Sequence, residues 1–203
     1  MTRAPASLIV ALLAILLGGC SSSPVSSFYR LKPDANLTVL STAVPLFVVV
    51  NPVTIPALVD RPQIVISLAD NQVWPDEFQR WAEPLKGNIQ RTIAGDLAVL
   101  LGSEHVSVYA SDSGGLPAWR VRVDIMQFDS VLSGMATVDA QWTIWSPGNA
   151  APIVGHTVAR EPVQGQAYDA LVAAHDRALG IVSRDVAAAI LKNLPASGSS
   201  AHN

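Results

Sequence analysis

The stretch Trp119-Arg120-Val121-Arg122-Val123-Asp124-Ile125 decides how this chain folds. Its apolar residues fall at every second position, with charges between them. Strand side chains alternate between two faces, so the pattern describes a strand with one buried face and one wet face. It continues toward Phe128 and Val131 and reaches a hairpin-type turn at Ser133-Gly134. Ala136, Val138, Ala140, Trp142 and Ile144 then alternate with Thr137, Asp139, Gln141, Thr143 and Trp145. Pro147-Gly148-Asn149 supplies a second turn, and Ile153-Val154-Gly155-His156-Thr157-Val158-Ala159 a third strand. Three such runs joined by short turns predict an antiparallel meander.

Working outward, residues 166–191 carry Tyr168, Leu171, Val172, His175, Leu179, Val182, Val186 and Ile190 on one helical stripe, with Arg184 and Asp185 off it. A second helix is predicted over 76–101, where Phe78, Trp81, Leu85, Ile89, Ile93, Leu97 and Leu100 step by three or four. Asp76 and Glu77 suit its first turn electrostatically, and Gly102 suits its C-cap. Pro84 removes a backbone donor. Two versions therefore stand: a helix bent at Pro84, or a short turn at 76–82 and a main helix from about residue 84. Leu46-Phe47-Val48-Val49-Val50 reads as a buried strand, continued past Pro52 to Ile55. Gln63–Leu68 and residues 105–110 read as further strands, with a turn at Asp70-Asn71. Phe28-Tyr29-Arg30-Leu31 could add an edge strand, and 33–43 look irregular. The order predicts an α+β domain: a largely antiparallel sheet with two long helices packed on one side.

The chain has 203 residues and a formal net charge of −3. No basic field points to nucleic acid. The N-terminus supplies Arg3, a short apolar run from Leu8 to Leu17, and then Leu17-Gly18-Gly19-Cys20. This is the layout of a secretory signal, and the run is too short to span a bilayer comfortably. Leu-Gly-Gly-Cys resembles the lipobox of bacterial lipoproteins. That resemblance implies a diacylglycerol on the Cys20 thiol, cleavage before it, and acylation of the new amino group, typically with palmitate. Several acyl chains anchor stably where one binds only marginally. Ser21 stands where an Asp usually signals inner-membrane retention, so the resemblance implies the outer membrane. The chain divides into a signal peptide (1–19), a lipidated cysteine and tether (20–32), a single periplasmic domain (33–195) and a flexible tail (196–203). Cys20 is the single cysteine, so lipidation leaves no thiol for a disulfide, zinc site or redox pair.

Candidate chemistry is sparse. Ser111-Asp112-Ser113-Gly114-Gly115 resembles the nucleophile loop of trypsin-like proteases, but a triad also needs a histidine and a buried aspartate. The four histidines, at 105, 156, 175 and 202, stand in no matching signature. Small polar residues are what any loop uses. His175 lies on the helix stripe and reads as a packed, hydrogen-bonded core residue; His156 reads as a sheet-face residue. There is no His-Glu-x-x-His motif, clustered carboxylate set or glycine-rich phosphate loop. Trp81 and Trp142 are core candidates. Trp145 faces the other way from Trp142, which fits a partner surface or burial at a sheet edge equally well.

One further stretch is informative: Ile55-Pro56 and Asp60-Arg61-Pro62-Gln63-Ile64-Val65, followed by Arg80-Trp81-Ala82-Glu83-Pro84-Leu85. Arg61 could pair with Asp60, Glu83 or a backbone carbonyl. With the lipobox, a Phe-Tyr-x-Leu segment after it and the long terminal helix, the chain resembles the PqiC/YmbA family of ABC-type transport auxiliary lipoproteins. The resemblance spans nearly the whole chain. It marks Asp60, Arg61, Pro62, Arg80, Trp81, Glu83, Pro84 and Leu85 as structural or interface residues, and Cys20 as the lipidation site. It implies a non-enzymatic docking component, without metal or cofactor, of a system built from an inner-membrane transporter and an Mce-domain (PqiB-like) protein. Such a system moves lipids or other hydrophobic molecules between membranes, and homo-oligomers occur in the family. The competing readings are a small envelope hydrolase using Ser113 or a histidine, and a structural lipoprotein of another envelope assembly.

Overall fold

The structure, a computed structural model, describes residues 24–40, 46–69, 71–109, 115–148 and 151–194. The meander is its centre. Strands β6 (Trp119–Ser130), β7 (Met135–Trp145) and β8 (Ile153–Pro162) pair antiparallel in sequence order. Val121, Val123, Ala136, Val138, Ala140 and Ile144 are buried on one face, while Arg122, Gln141 and His156 stand exposed on the other. The register slips once, between Ile125 and Gln127, and Met126 is exposed there. Ser133, at the hairpin turn, has φ 57°, a left-handed conformation that a turn demands.

The meander does not stand alone. β2 (Val48–Val50) adds to β6 in parallel, and β5 (Val106–Ser107) adds in parallel to β2, giving the order β5-β2-β6-β7-β8. Beyond β2, Thr54 bridges to Asp124, its hydroxyl donating to the carboxylate at 2.7 Å. The strand expected over 105–110 is thus only two residues long; its last residue, 110, lies outside the described residues. A second sheet has three strands in the order β1-β4-β3: β1 (Ser27–Tyr29), β3 (Gln63–Ala69) and β4 (Gln72–Trp81). β3 and β4 form an antiparallel hairpin, and β1 lies parallel to β4. The α+β class holds, but the single, largely antiparallel sheet becomes two mixed sheets. Parallel partners far apart in sequence leave no local signal.

Two helices cover the buried face of the larger sheet. α1 (Leu85–Leu101) packs on β2 and β5, α2 (Tyr168–Lys192) on β7 and β8, and the helices pack on each other. Ile89, Ile93, Leu97, Leu100, Leu171, Leu179, Val182, Val186 and Ile190 form their shared, fully buried interface with the sheet. Burying each such side chain contributes about 1.5–3 kcal/mol. Gly102 closes α1 with φ 58°, and the Gly102 and Ser103 N–H groups return to the Val99 and Ala98 carbonyls.

Of the two versions of this helix, the one with a main helix from about residue 84 holds: it begins at Leu85, with Pro84 as its N-cap. Residues 76–81 belong to β4. Asp76 Oδ1 accepts the Phe78 N–H at 2.9 Å and the Gln79 N–H at 3.2 Å, as an N-cap side chain would. Here the same contact serves a bulge, where the β3–β4 register shifts between Gln63 and Ile64. Asp76 and Glu77 are therefore not first-turn helix residues, and Phe78 is exposed instead of lying on a buried stripe.

The segment after β1 straps the two helices together. The Leu31 N–H donates to Asn88 Oδ1 (2.7 Å), and Asn88 Nδ2 donates back to the Leu31 carbonyl (3.1 Å). The Lys32 N–H donates to Asp176 Oδ1 and the Asp34 N–H to Asp96 Oδ1, each at 3.0 Å. The Ser183 hydroxyl donates to Asp96 Oδ2 at 2.8 Å, linking α1 to α2. The strap lies so close that a Cβ on Gly95 would stand 2.5 Å from Pro33 Cγ. Burial pushes the Asp96 carboxyl up to about 7 and that of Asp176 up to about 6.

Candidate functional site

Hairpin geometry builds the candidate site. β3 begins where β4 ends, so the turn before β3 lies beside the link from β4 to α1. The Val59 N–H donates to the Pro56 carbonyl (3.1 Å) and the Arg61 N–H to that of Val59 (2.9 Å), which folds residues 56–61 back on themselves. The Trp81 N–H then donates to the Pro62 carbonyl and the Ala82 N–H to that of Tyr29, each at 2.7 Å. The two separate segments Asp60-Arg61-Pro62 and Trp81–Leu85 thereby meet.

Between them lies a cleft of about 340 Å³, lined by Asp60, Arg61, Pro62, Trp81, Glu83, Pro84 and Leu85. Its floor is apolar: Trp81 and Leu85 are buried, and Trp81 meets the ring of Phe128 edge-on at 6.3 Å. Its rim is charged. Lys86 Nζ stands 2.6 Å from Asp60 Oδ2, and Arg91 pairs with Glu83. All four side chains are at least one-third exposed, so these pairs contribute little stability. Their effect is to neutralise both acids of the cleft. Arg61, expected to pair with Asp60, Glu83 or a carbonyl, has no side-chain hydrogen bond or ion pair among the described residues. The cleft thus offers an apolar floor and one unspent guanidinium. Seven of the eight family-motif residues line it. Arg80 does not; it alternates with Trp81 along β4, between Phe28 of β1 and Gln63 of β3. The roles of Lys86 and Arg91 escaped the sequence reading, although two cations in the first turns of a helix beside two acids were a visible signal.

The other candidates separate. His175 is fully buried, with Nε2 2.8 Å from Ser130 Oγ and its ring stacked 4.0 Å from that of Phe128. Burial pushes its pKa down to about 3, and Nδ1 has no partner. The neutral tautomer with Nε2–H donating to Ser130 fits this core position, as expected for a packed histidine. His156 lies on the open sheet face, 2.7 Å from Asp139. Trp142 is buried with its indole N–H donating to Thr157 Oγ1 at 3.0 Å, and Trp145 is half-buried opposite Arg120. Ser113 and Cys20 lie outside the described residues. Among the described residues no helix is long and apolar enough to cross a membrane.

Comparison with known proteins gives one family. Residues 29–187 match the family described as ABC-type transport auxiliary lipoprotein component. No curated protein matches the chain. Solved structures share its fold, among them two crystal structures. One, of an uncharacterized protein, has a TM-score of 0.66 at 19% identity and covers 82% of this chain and 99% of its own. The other, of a Xanthomonas campestris protein of the DUF330 family, has a TM-score of 0.60 at 15% identity, covering 82% and 95%. The match runs from β1 through most of α2 and includes every residue of the cleft, and the chain belongs to the PqiC/YmbA family of ABC-type transport auxiliary lipoproteins.

Proposed function

We propose that this protein is an outer-membrane lipoprotein, anchored through Cys20 and facing the periplasm, that docks the other components of an ABC/Mce-type transport system. The cargo of such a system is lipid or another hydrophobic molecule. In this reading the protein itself is non-catalytic. Its work is positional: a rigid body on a short lipid leash holds a partner near the membrane.

The observation that carries the reading is the convergence of the two family segments on one cleft. A largely apolar cleft with an unpaired arginine at its edge suits a protein segment that presents a large apolar side chain beside a carboxylate. The apolar group would cover Trp81 and Leu85, and the carboxylate would meet Arg61 in a charge-assisted hydrogen bond. Ser21 after Cys20 supports the outer membrane, and the family's lipoprotein character supports the anchor.

The test is binding of the purified Mce-domain partner to the wild type, Arg61→Glu and Arg160→Glu. Arg160 is exposed on β8, away from the cleft. Arg61→Glu is expected to weaken binding at least about tenfold, equivalent to ~1.4 kcal/mol, with Arg160→Glu unchanged. Equal binding by all three proteins would remove the cleft from the docking surface.

A further inference from the structure

We infer that the tip of the β3–β4 hairpin is the part of the folded body that rests on the lipid surface. The inference rests on the anchoring at Cys20 proposed above. Ser27, Phe28 and Tyr29 of β1 pair in parallel with Gln79, Arg80 and Trp81 of β4. Parallel pairing points the N-terminal end of β1 the same way as the N-terminal end of β4, which is the hairpin tip. The chain from Cys20 therefore reaches the body from the tip side.

Distance enforces this orientation. From Cys20 to Ser27 is seven residue steps (27 − 20), at most about 25 Å of fully extended chain. A domain of this size has a radius of gyration of about 15 Å, and so spans roughly 40 Å. The leash is too short for the far side of the body to turn onto the bilayer. Trp74 lies five steps beyond Gln79 toward the tip (79 − 74), at most about 17 Å along the strand, within the reach of the anchor.

The tip has the surface chemistry for this role. Trp74 is 54% exposed and Leu68 53%. Trp74 sits opposite Ile66, on the face that carries Ile64 and Ile66 into the core. That apolar face continues past the edge of the core, and Val73, next to Trp74 along β4, is exposed on the other face of the tip. From Ile64 to Pro75 the sequence holds one charge, Asp70, which lies outside the described residues. An exposed indole with aliphatic neighbours and little charge suits the headgroup level of a zwitterionic bilayer. At the other end of β4, nine steps away (81 − 72) and at most about 30 Å distant, Trp81 and its cleft point away from that bilayer, toward a partner.

The test uses the full chain, produced with its signal and reconstituted in phosphatidylcholine vesicles with and without brominated phosphatidylcholine. Bromine quenches only those tryptophans that touch lipid. Trp81, Trp119 and Trp142 are buried and Trp145 lies on the other sheet. Quenching is expected in the wild type and is expected to be lost in Trp74→Phe, with unchanged melting of both proteins. Leu68→Asp, which leaves every tryptophan in place, is expected to reduce the quenching while the protein still floats with the vesicles. An acylated protein that floats but is not quenched, or is quenched equally in Trp74→Phe, would overturn the inference alone. So would shielding of Trp74 from an aqueous quencher in the unacylated mature chain, residues 20–203, in detergent-free buffer, which would place a second copy of the chain on the tip. An unacylated protein that leaves the vesicles would overturn the anchoring and this inference together.

Discussion

The two sheets of this molecule answer to different demands. In the five-stranded sheet nearly every inward side chain is buried beneath the two helices, and β7 pairs with β8 without a slip from Met135 to Ile144. The three-stranded sheet is short and twice irregular, and exposes Phe28, Leu68, Val73, Trp74 and Phe78. Yet it receives the chain from the N-terminus at one end and opens the candidate cleft at the other. Apolar side chains are left out of a core when the chain itself has nothing to cover them, and such surfaces mark contact with something else. The larger sheet with its helices is the body; the smaller sheet carries the contacts.

The largest expected effect joins the two. Trp81 is the buried end of β4 and touches Phe128 of the larger sheet, so Trp81→Ala should destabilise by about 3–5 kcal/mol in chemical denaturation. An unchanged melting temperature would mean that Trp81 belongs to an interface and not to the weld between the sheets. Inside the body, Gly155→Ala should cost about 1–3 kcal/mol by overpacking, because a Cβ there would stand 2.0 Å from Trp142 Cζ2. The melting temperature would report it. The equivalent change at the exposed tip, Val73→Ser, should stay within about 0.5 kcal/mol. Equal losses at the two sites would erase the contrast between the sheets.

The strap adds a pH dependence to the body. Burial raises Asp96 to about 7 from 3.8, so the folded chain holds a proton that the unfolded chain has already lost between those values. That contribution to stability is complete below the unfolded value and is lost as pH rises through about 7. Asp176, raised to about 6, acts in the same direction. His175, lowered to about 3 in the fold, acts in the opposite direction: its contribution is lost as pH falls below its unfolded value. Asp96→Asn isolates the first of these. The wild type should lose stability relative to the variant as pH rises from about 4 to about 7, by at most about 1.4 kcal/mol per pH unit, and level off above that. Parallel profiles for the two proteins would show that Asp96 does not titrate in this range. The smallest effect on stability belongs to the cleft: Arg61→Glu should move the melting free energy by no more than about 0.5 kcal/mol while it weakens partner binding.

Much of the body was legible in the sequence. Alternation within the runs 119–125, 136–145 and 153–159 predicts the meander, and the stripe from Tyr168 to Ile190 predicts α2. The hairpin was half legible. The pattern predicts β3 and a main helix from about residue 84, but over 76–82 it offers a helix or a short turn and not the strand β4, because Phe78, Trp81 and Leu85 fall three and four residues apart. Asp76 reinforced the error by making the backbone contacts of a helix cap inside a bulge. Sheet order was not legible, since β1 with β4 and β2 with β5 and β6 are parallel pairs between distant segments. The members of the cleft were named through the family resemblance, but their meeting depends on the register of a strand that was not foreseen. The freedom of Arg61 also depends on Lys86 and Arg91, which reach the acids from the next element.

The most direct measurement places a photo-crosslinking residue at position 61, in the cleft, and in a second strain at position 141, exposed on the open face of the larger sheet. After irradiation in cells, the account predicts an adduct with an Mce-domain protein from position 61 and none from position 141. An adduct from position 141 alone, or wall-associated partners captured at position 61, would contradict it.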